Sequence, residues 1–368
     1  MDKKYMNCTR CELCGTAEII FSNQFIEYSI LFRLLSAPLA TMGVSMLSAA
    51  VFKSTGIHAN SKVLLIMLTI SAIISNLGIL IDSVYKFFIS YVMPDTMQCD
   101  YQVFHPQYFI CIRNIQLIGA TLLSISPIFL CIERTVATVF YRTYSTTTKK
   151  PILGLVLVII QLTLCIVPIF YVKVPKQLYP YLAPEIRDSQ AFHYFSICET
   201  FSNILSILIF IILLTINRFR KRVMGSGHLE VVLARYDLQS NISTTQLMVP
   251  IIILISIMVI SGEIIMTLFL PGYDPSTIVN NKVLEELIDY APYAEFQLTL
   301  IPLLLIILVL TMLMVSAKLR QSFLCVSNLS ICFPTKSPTD TRSTSESSDT
   351  YFSRIHWSTK SGLNPRHI

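Results

Sequence analysis

Apolar residues along this chain gather into seven long runs separated by short polar connections. Their approximate bounds are 28–52, 63–88, 110–133, 152–172, 196–217, 247–270 and 293–317. Crossing a hydrocarbon core of about 30 Å takes about 20 helical residues. The pattern therefore predicts an all-α, seven-transmembrane helix bundle. Lone prolines at Pro38, Pro127, Pro168, Pro250 and Pro302 fall inside five of these runs; they predict kinks and give no sign of a duplicated unit. Residues 1–27 are polar and carry cysteines, without the charged, apolar and small-residue succession of a cleaved signal, so they read as an extracellular N-terminus. After the seventh run, Leu319, Phe323 and Val326 recur at helical spacing beside Lys318 and Arg320. That predicts a short amphipathic helix within 318–334, lying on the inner leaflet. Residues 335–368 are rich in Ser and Thr and read as a disordered cytoplasmic tail.

Composition sharpens the picture. Hydrophobic residues make up 53% of the 368 and charged residues only 14%, and the mean hydropathy is +0.63; a soluble protein of that composition could not cover its surface. The net charge of +6 is not distributed as a nucleic-acid surface would be. With the N-terminus outside, the inner loops hold Lys53, Lys62, Arg134, Arg142, Lys149, Lys150, Arg218, Arg220, Lys221, Arg222 and Arg235. The outer side holds Lys86, Lys173, Lys176, Arg187 and Lys282. Basic residues stay on the cytoplasmic side of a bilayer. The charge is a topology signal: N-terminus outside, C-terminus cytoplasmic, no nucleic-acid partner.

On that topology Cys8, Cys11, Cys14, Cys99, Cys111 and Cys198 fall outside or at outer span ends. An even set in an oxidising compartment predicts disulfides, with fifteen pairings open. The favoured bridge runs from Cys99 or Cys111 to Cys198, tying the second outer loop over the bundle. Cys8, Cys11 and Cys14 lack the further ligands of a zinc knuckle, so no metal and no other cofactor is expected. Asn7 begins an Asn-Cys-Thr glycosylation sequon on the outer side, whereas the sequons at Asn241 and Asn328 lie inside and should stay unmodified. Cys325 and Cys332, on or near the amphipathic segment, are candidates for palmitoylation.

The third run ends in "FLCIERTVATVFYRTY", where Glu133 and Arg134 stand side by side. Nineteen uncharged residues separate Arg113 from Glu133, and at 1.5 Å per residue Arg113 and Arg134 lie roughly 31 Å apart, about one membrane thickness. The pair sits at the inner boundary, where an arginine can simply snorkel as an anchor. Beside it lie a hydroxyl-rich basic loop with Arg142 and the longer "NRFRKRVMGSGHLEVVLARY" with Arg220, Arg222, Arg235 and Tyr236. This is what docking a cytoplasmic transducer requires.

"IERTVATVFYRTY" resembles the E-R-x-x-A-T motif of nematode serpentine chemoreceptors of the Sra superfamily. "VVLARYDLQSNISTTQLMVPI" resembles its L-x-x-R-Y-Q-x-x-E-N segment, with Arg235, Tyr236 and Asn241 matching but Asp237 in place of Gln and Ser240 in place of Glu. "CDYQVFHPQYFICIR" is similar to its Cys…Cys-x-Arg stretch. The likeness spans roughly residues 30 to 325, with the alpha class preferred and alpha-beta next. It implies a chemosensory G-protein-coupled receptor in the plasma membrane, of a sensory neuron or cilium, with Glu133 and Arg134 coupling to a heterotrimeric G protein. The Ser/Thr-rich tail would then suit a receptor kinase and arrestin.

Polar groups inside a bilayer mark sites by default. Arg113 and Asn114 stand at the outer end of span three, Glu199 and Asn203 at that of span five, Glu263 in the outer third of span six, and Glu295 and Gln297 open span seven. These predict a small-molecule pocket in which Arg113 pairs with one of the acids. Asp82 and Lys86, four residues apart, predict a local helix pair. A ligand-gated channel or transporter is the competing class. An enzyme has no support, because no nucleophile elbow, zincin motif or paired membrane aspartates occur, and His58, His105, His193 and His228 fall in loops.

Overall fold

The computed structural model describes residues 3–54, 57–102, 106–141, 144, 151–171, 189–223, 229–269 and 281–326. Among the described residues all regular structure is helical: α1 (Lys3–Phe21), α2 (Gln24–Lys53), α3 (Ala59–Tyr91), α4 (Asp95–Gln102), α5 (Pro106–Val139), α6 (Ile152–Tyr171), α7 (Ser189–Val223), α8 (Leu229–Phe269), α9 (Asn281–Val315) and α10 (Ala317–Val326). Six of these, α2, α3, α5, α7, α8 and α9, are long and apolar enough to cross a membrane, and α6 supplies a shorter apolar helix. The seven expected spans are all helices. Pro38, Pro127, Pro250, Pro292 and Pro302 lie inside them.

Packing closes a ring in the order α2, α3, α5, α7, α8, α9 and back to α2, with α6 outside against α3 and α5. Small residues make the α3–α5 seam close. A Cβ on Gly78 would lie 2.6 Å from the Gln116 backbone nitrogen, and one on Gly119 would lie 2.1 Å from that of Ser75. Lipid offers helices no hydrophobic drive to associate, so such backbone proximity supplies the dispersion contact that holds them. Gly154 does the same between α6 and α3, where a Cβ would meet the Asn60 carbonyl at 2.8 Å. Leu, Ile, Val and Met from α2, α3, α5, α8 and α9 fill the ring interior in one continuous cluster. Outward-facing Leu35, Ile159, Ile212 and Leu310 are exposed, as lipid-facing residues are.

Four sequence expectations change. Residues 3–21 form a helix, α1, whose Ala17, Ile20 and Phe21 pack with Leu287, Tyr290 and Ala291 of α9; the polar N-terminal segment therefore hides an apolar stripe. Cys99 bonds to Cys14, across 85 residues, and ties α4 to α1, whereas Cys198 is an exposed free thiol. The favoured bridge from Cys99 or Cys111 to Cys198 is thus overturned, because Cys198 is unbridged and α1 rather than α7 is what reaches α4. The fifth, sixth and seventh spans extend well past the apolar runs, since a helix continues wherever its backbone is satisfied and a hydropathy window sees only the lipid-facing part. Glu295 and Gln297 consequently do not open the last helix; they lie 14 and 16 residues beyond its start at Asn281.

Within the helices the side chains of Asn7, Cys8, Cys11, Cys111, Arg113, Arg235 and Tyr236 lie outside the described residues, as do Arg142, Cys332 and everything from 327 onward. The backbone at Arg235 and Tyr236 is part of α8, so the segment read as an inner loop is the first turns of a helix. At the inner end α10 packs against α2 and α9. Ser316 caps it through its hydroxyl, which accepts from the Leu319 amide at 3.2 Å. Leu319 is buried, and Lys318, Arg320 and Cys325 are exposed.

Candidate functional site

Glu133 and Arg134 do not snorkel. Helix α5 runs on to Val139, which draws the pair more than a turn inside the helix and leaves both side chains essentially without solvent exposure. A charge pair so placed costs several kcal/mol to desolvate unless further hydrogen bonds satisfy it, and here α3, α8 and Tyr144 supply them. Arg134 grips Glu133 with two donors, Nε at 2.5 Å and Nη2. Nη2 also donates to Ser61 of α3 at 2.6 Å, and Nη1 donates to the Asn241 side-chain oxygen of α8 at 3.2 Å. The carboxylate accepts from the Ser61 hydroxyl at 3.0 Å and from the Tyr144 hydroxyl.

A second layer orients the first. Asn60 donates to Tyr144 at 3.1 Å, and its side-chain oxygen accepts from the Gly154 amide of α6 at 3.0 Å. Asn241 donates to the Ala137 carbonyl at 2.8 Å. One turn further on, Thr138 is held from α7: Asn217 donates to its hydroxyl at 3.0 Å and Arg220 to its carbonyl at 2.7 Å, with the Arg220 guanidinium 5.3 Å from the centre of the Tyr141 ring. His58 closes the rim, edge-on to Tyr144 with ring centres 5.5 Å apart and 3.4 Å from the Ser240 hydroxyl. Burial, then the nearby Arg134 charge, push its pKa down to about 4 against the opposing pull of Glu133. His58 is therefore neutral at cellular pH. Burial and then Glu133 hold the Tyr144 hydroxyl well above its ordinary range, so it stays a proton donor.

The residues expected to form an outer pocket divide into three groups. Glu295 is buried with Arg33 and Lys86, both of which donate to it, while Lys86 also reaches Asp82 at 2.9 Å and Arg33 lies 3.8 Å from that same carboxylate. The expected Asp82–Lys86 pair exists, but it is part of a four-charge network joining α2, α3 and α9. Lys86, counted above with the outer side, is a buried intramembrane group. Glu199 accepts from Ser124 of α5 at 2.6 Å, and Asn203 donates to the Ser124 carbonyl at 3.0 Å. Gln297 accepts from Ser261 at 2.9 Å and donates to the Met258 carbonyl at 2.9 Å, and Glu263 accepts from Thr267 at 3.2 Å. Asn114 is half-buried on α5. The three groups lie on different seams of the bundle.

Sequence reasoning missed Ser61, Asn60 and Tyr144 in the inner cluster, and Arg33 in the outer one. An isolated arginine five residues into an apolar run was a readable signal; serines and asparagines on α3 were not.

No curated protein matches the chain. A family model does, over residues 11–331: serpentine type 7TM GPCR receptor class ab chemoreceptor. That replaces the alpha class preferred on motif resemblance. The match runs from α1 to beyond α10 and takes in every residue of the buried clusters. It describes a receptor family and not an enzyme, and it makes the protein an integral membrane protein. The chain belongs to the class ab serpentine chemoreceptors, a family of seven-transmembrane G-protein-coupled receptors.

Proposed function

We propose that this chain binds a small-molecule chemical cue within its helix bundle and activates a heterotrimeric G protein through its inner face, with Arg134 as the switched group. The observation that carries this reading is the burial of Arg134 among Glu133, Ser61 and Asn241. Its ties are asymmetric. Glu133 is on its own helix and Ser61 is on α3, which packs closely on α5 through glycine contacts. Asn241 belongs to α8, whose contact with α5 is less extensive than that with α7. An outward movement of the inner end of α8 removes the Asn241 contacts first and opens a face lined by Arg134, Arg220 and the start of α8. Two discrete arrangements of one packed element are what a switch requires.

Sensory-neuron or ciliary membranes, and phosphorylation of the tail followed by arrestin binding, are proposals that rest on the family's character. A G-protein activation assay in cells expressing the full chain and Arg134→Ala at equal surface density tests coupling. Loss of the cue-evoked signal in the variant is the expected result. A signal that survives both the substitution and removal of the G protein would overturn the reading in favour of a channel.

A further inference from the structure

The acids carried into the bundle interior differ in one respect. Glu133 is paired with Arg134, and Glu295 and Asp82 share Arg33 and Lys86. Glu199 has no cation among the described residues: its carboxylate meets the Ser124 hydroxyl at 2.6 Å. Ser124 lies ten residues along α5 from Arg134, roughly 15 Å from the inner cluster and near mid-membrane. A bare carboxylate at that depth is costly.

The Ser124 hydroxyl has one proton and two acceptors in reach, the Glu199 carboxylate and the Thr121 carbonyl at 2.9 Å. When it serves Thr121, no other described residue donates to the carboxylate. Glu199 itself is half-buried, while Cys165 of α6 lies within electrostatic reach of it and packs with Met67 and Leu122. Where α7 meets α5 the structure thus holds an acceptor with no cation among the described residues, beside an apolar cluster of α3, α5 and α6 that reaches it through Cys165.

We infer that Glu199 is the anchor for a protonated small amine, whose ammonium replaces the missing cation and whose hydrocarbon part packs against the apolar side chains of this seam. The inference rests on the receptor function proposed above and adds the ligand's chemical class. A carboxylic acid would set two like charges together, and an alcohol would bring one hydrogen bond and no charge. Ammonium supplies the opposite charge and up to three donors for the two oxygens of the Glu199 carboxylate.

The test exposes cells expressing the full chain and a G protein to hexylamine, hexanol and hexanoic acid, with shorter and longer members of each series. The amines are expected to activate at least tenfold more potently than the matched alcohols and acids. Glu199→Gln is expected to lower amine potency by about 10- to 100-fold, as loss of a hydrogen bond to a charged group implies, leaving any alcohol response unchanged. Glu199→Asp, which keeps the charge but withdraws it by one methylene, is expected to cost several-fold for amines alone, and it serves if the glutamine variant does not reach the surface. Unchanged amine potency in either variant, or a parent silent to the whole amine series, would overturn the inference. Failure of the receptor reading shows itself differently, as an evoked signal that persists in Arg134→Ala and without G protein.

Discussion

At the scale of single residues, the inner cluster makes Asn241 the most informative position. Its side chain accepts from Arg134 and donates to the Ala137 carbonyl, so one amide from α8 holds two points on α5. Replacing it with Leu removes both bonds while keeping the volume. A hydrogen bond to a charged group contributes about 1.5 kcal/mol or more, so Asn241→Leu should shift the resting equilibrium about tenfold toward the active arrangement. A rise in ligand-free G-protein activation at equal surface density checks it. His58 makes a second prediction. Its pKa is 6.5 in an unfolded chain and about 4 here, so acidification protonates the unfolded chain first, and stability falls as pH drops from about 6.5 toward 4. Allowing for partial exposure, the loss is on the order of 2 kcal/mol. Purified receptor should melt at a lower temperature at pH 5 than at pH 7, and His58→Gln should reduce that difference. Of this cluster the charged pair was legible beforehand, and Asn241 only as part of a motif resemblance. Glu133 and Arg134 announce themselves by adjacency at the end of an apolar run, whereas Ser61 and Asn60 are ordinary helix residues until α3 is placed against α5.

At the scale of elements, hydropathy located all seven membrane helices but not their ends. The charge-free windows stop where the lipid stops, while the backbone helix continues: α8 begins at Leu229, 18 residues before the apolar run, and α9 at Asn281. Nor did the sequence disclose which helices touch, since glycines look alike until their partners are known. The structure separates them. Gly119 and Gly78 face backbone across the α3–α5 seam, whereas a Cβ on Gly15 of α1 would meet nothing within 4 Å. Alanine at the first two forces the helices apart, an overpacking cost of about 1–3 kcal/mol each. Alanine at Gly15 removes only glycine's helix penalty, a gain of about 1 kcal/mol at most. Thermal unfolding in detergent should therefore rank Gly15→Ala at or above the parent and Gly78→Ala and Gly119→Ala below it.

For the whole molecule, the ring is closed by charge as well as by packing. The four groups Arg33, Asp82, Lys86 and Glu295 come from α2, α3 and α9, and Arg33 and Glu295 are 262 residues apart. No periodicity in the sequence couples such distant positions, so only the local Asp82–Lys86 half was legible. These four groups carry two charges of each sign, and that governs what removing one of them does. Glu295→Leu takes from Arg33 and Lys86 the carboxylate they share, and removing one partner of a buried charge pair costs about 3–5 kcal/mol. Arg33→Leu removes a cation from the same set. Combining the two removes one cation and one anion together and leaves Asp82 with Lys86 at 2.9 Å, a balanced pair in a more apolar surrounding. The double variant should thus be more stable and better expressed at the cell surface than either single one, although it has lost more native contacts. Surface labelling and melting temperatures of the three proteins decide the matter. Losses that simply add would mean that each contact holds the helices independently. Partial recovery would mean that charge balance is what closes α9 onto α2 and α3, leaving the rest of the interface to apolar packing.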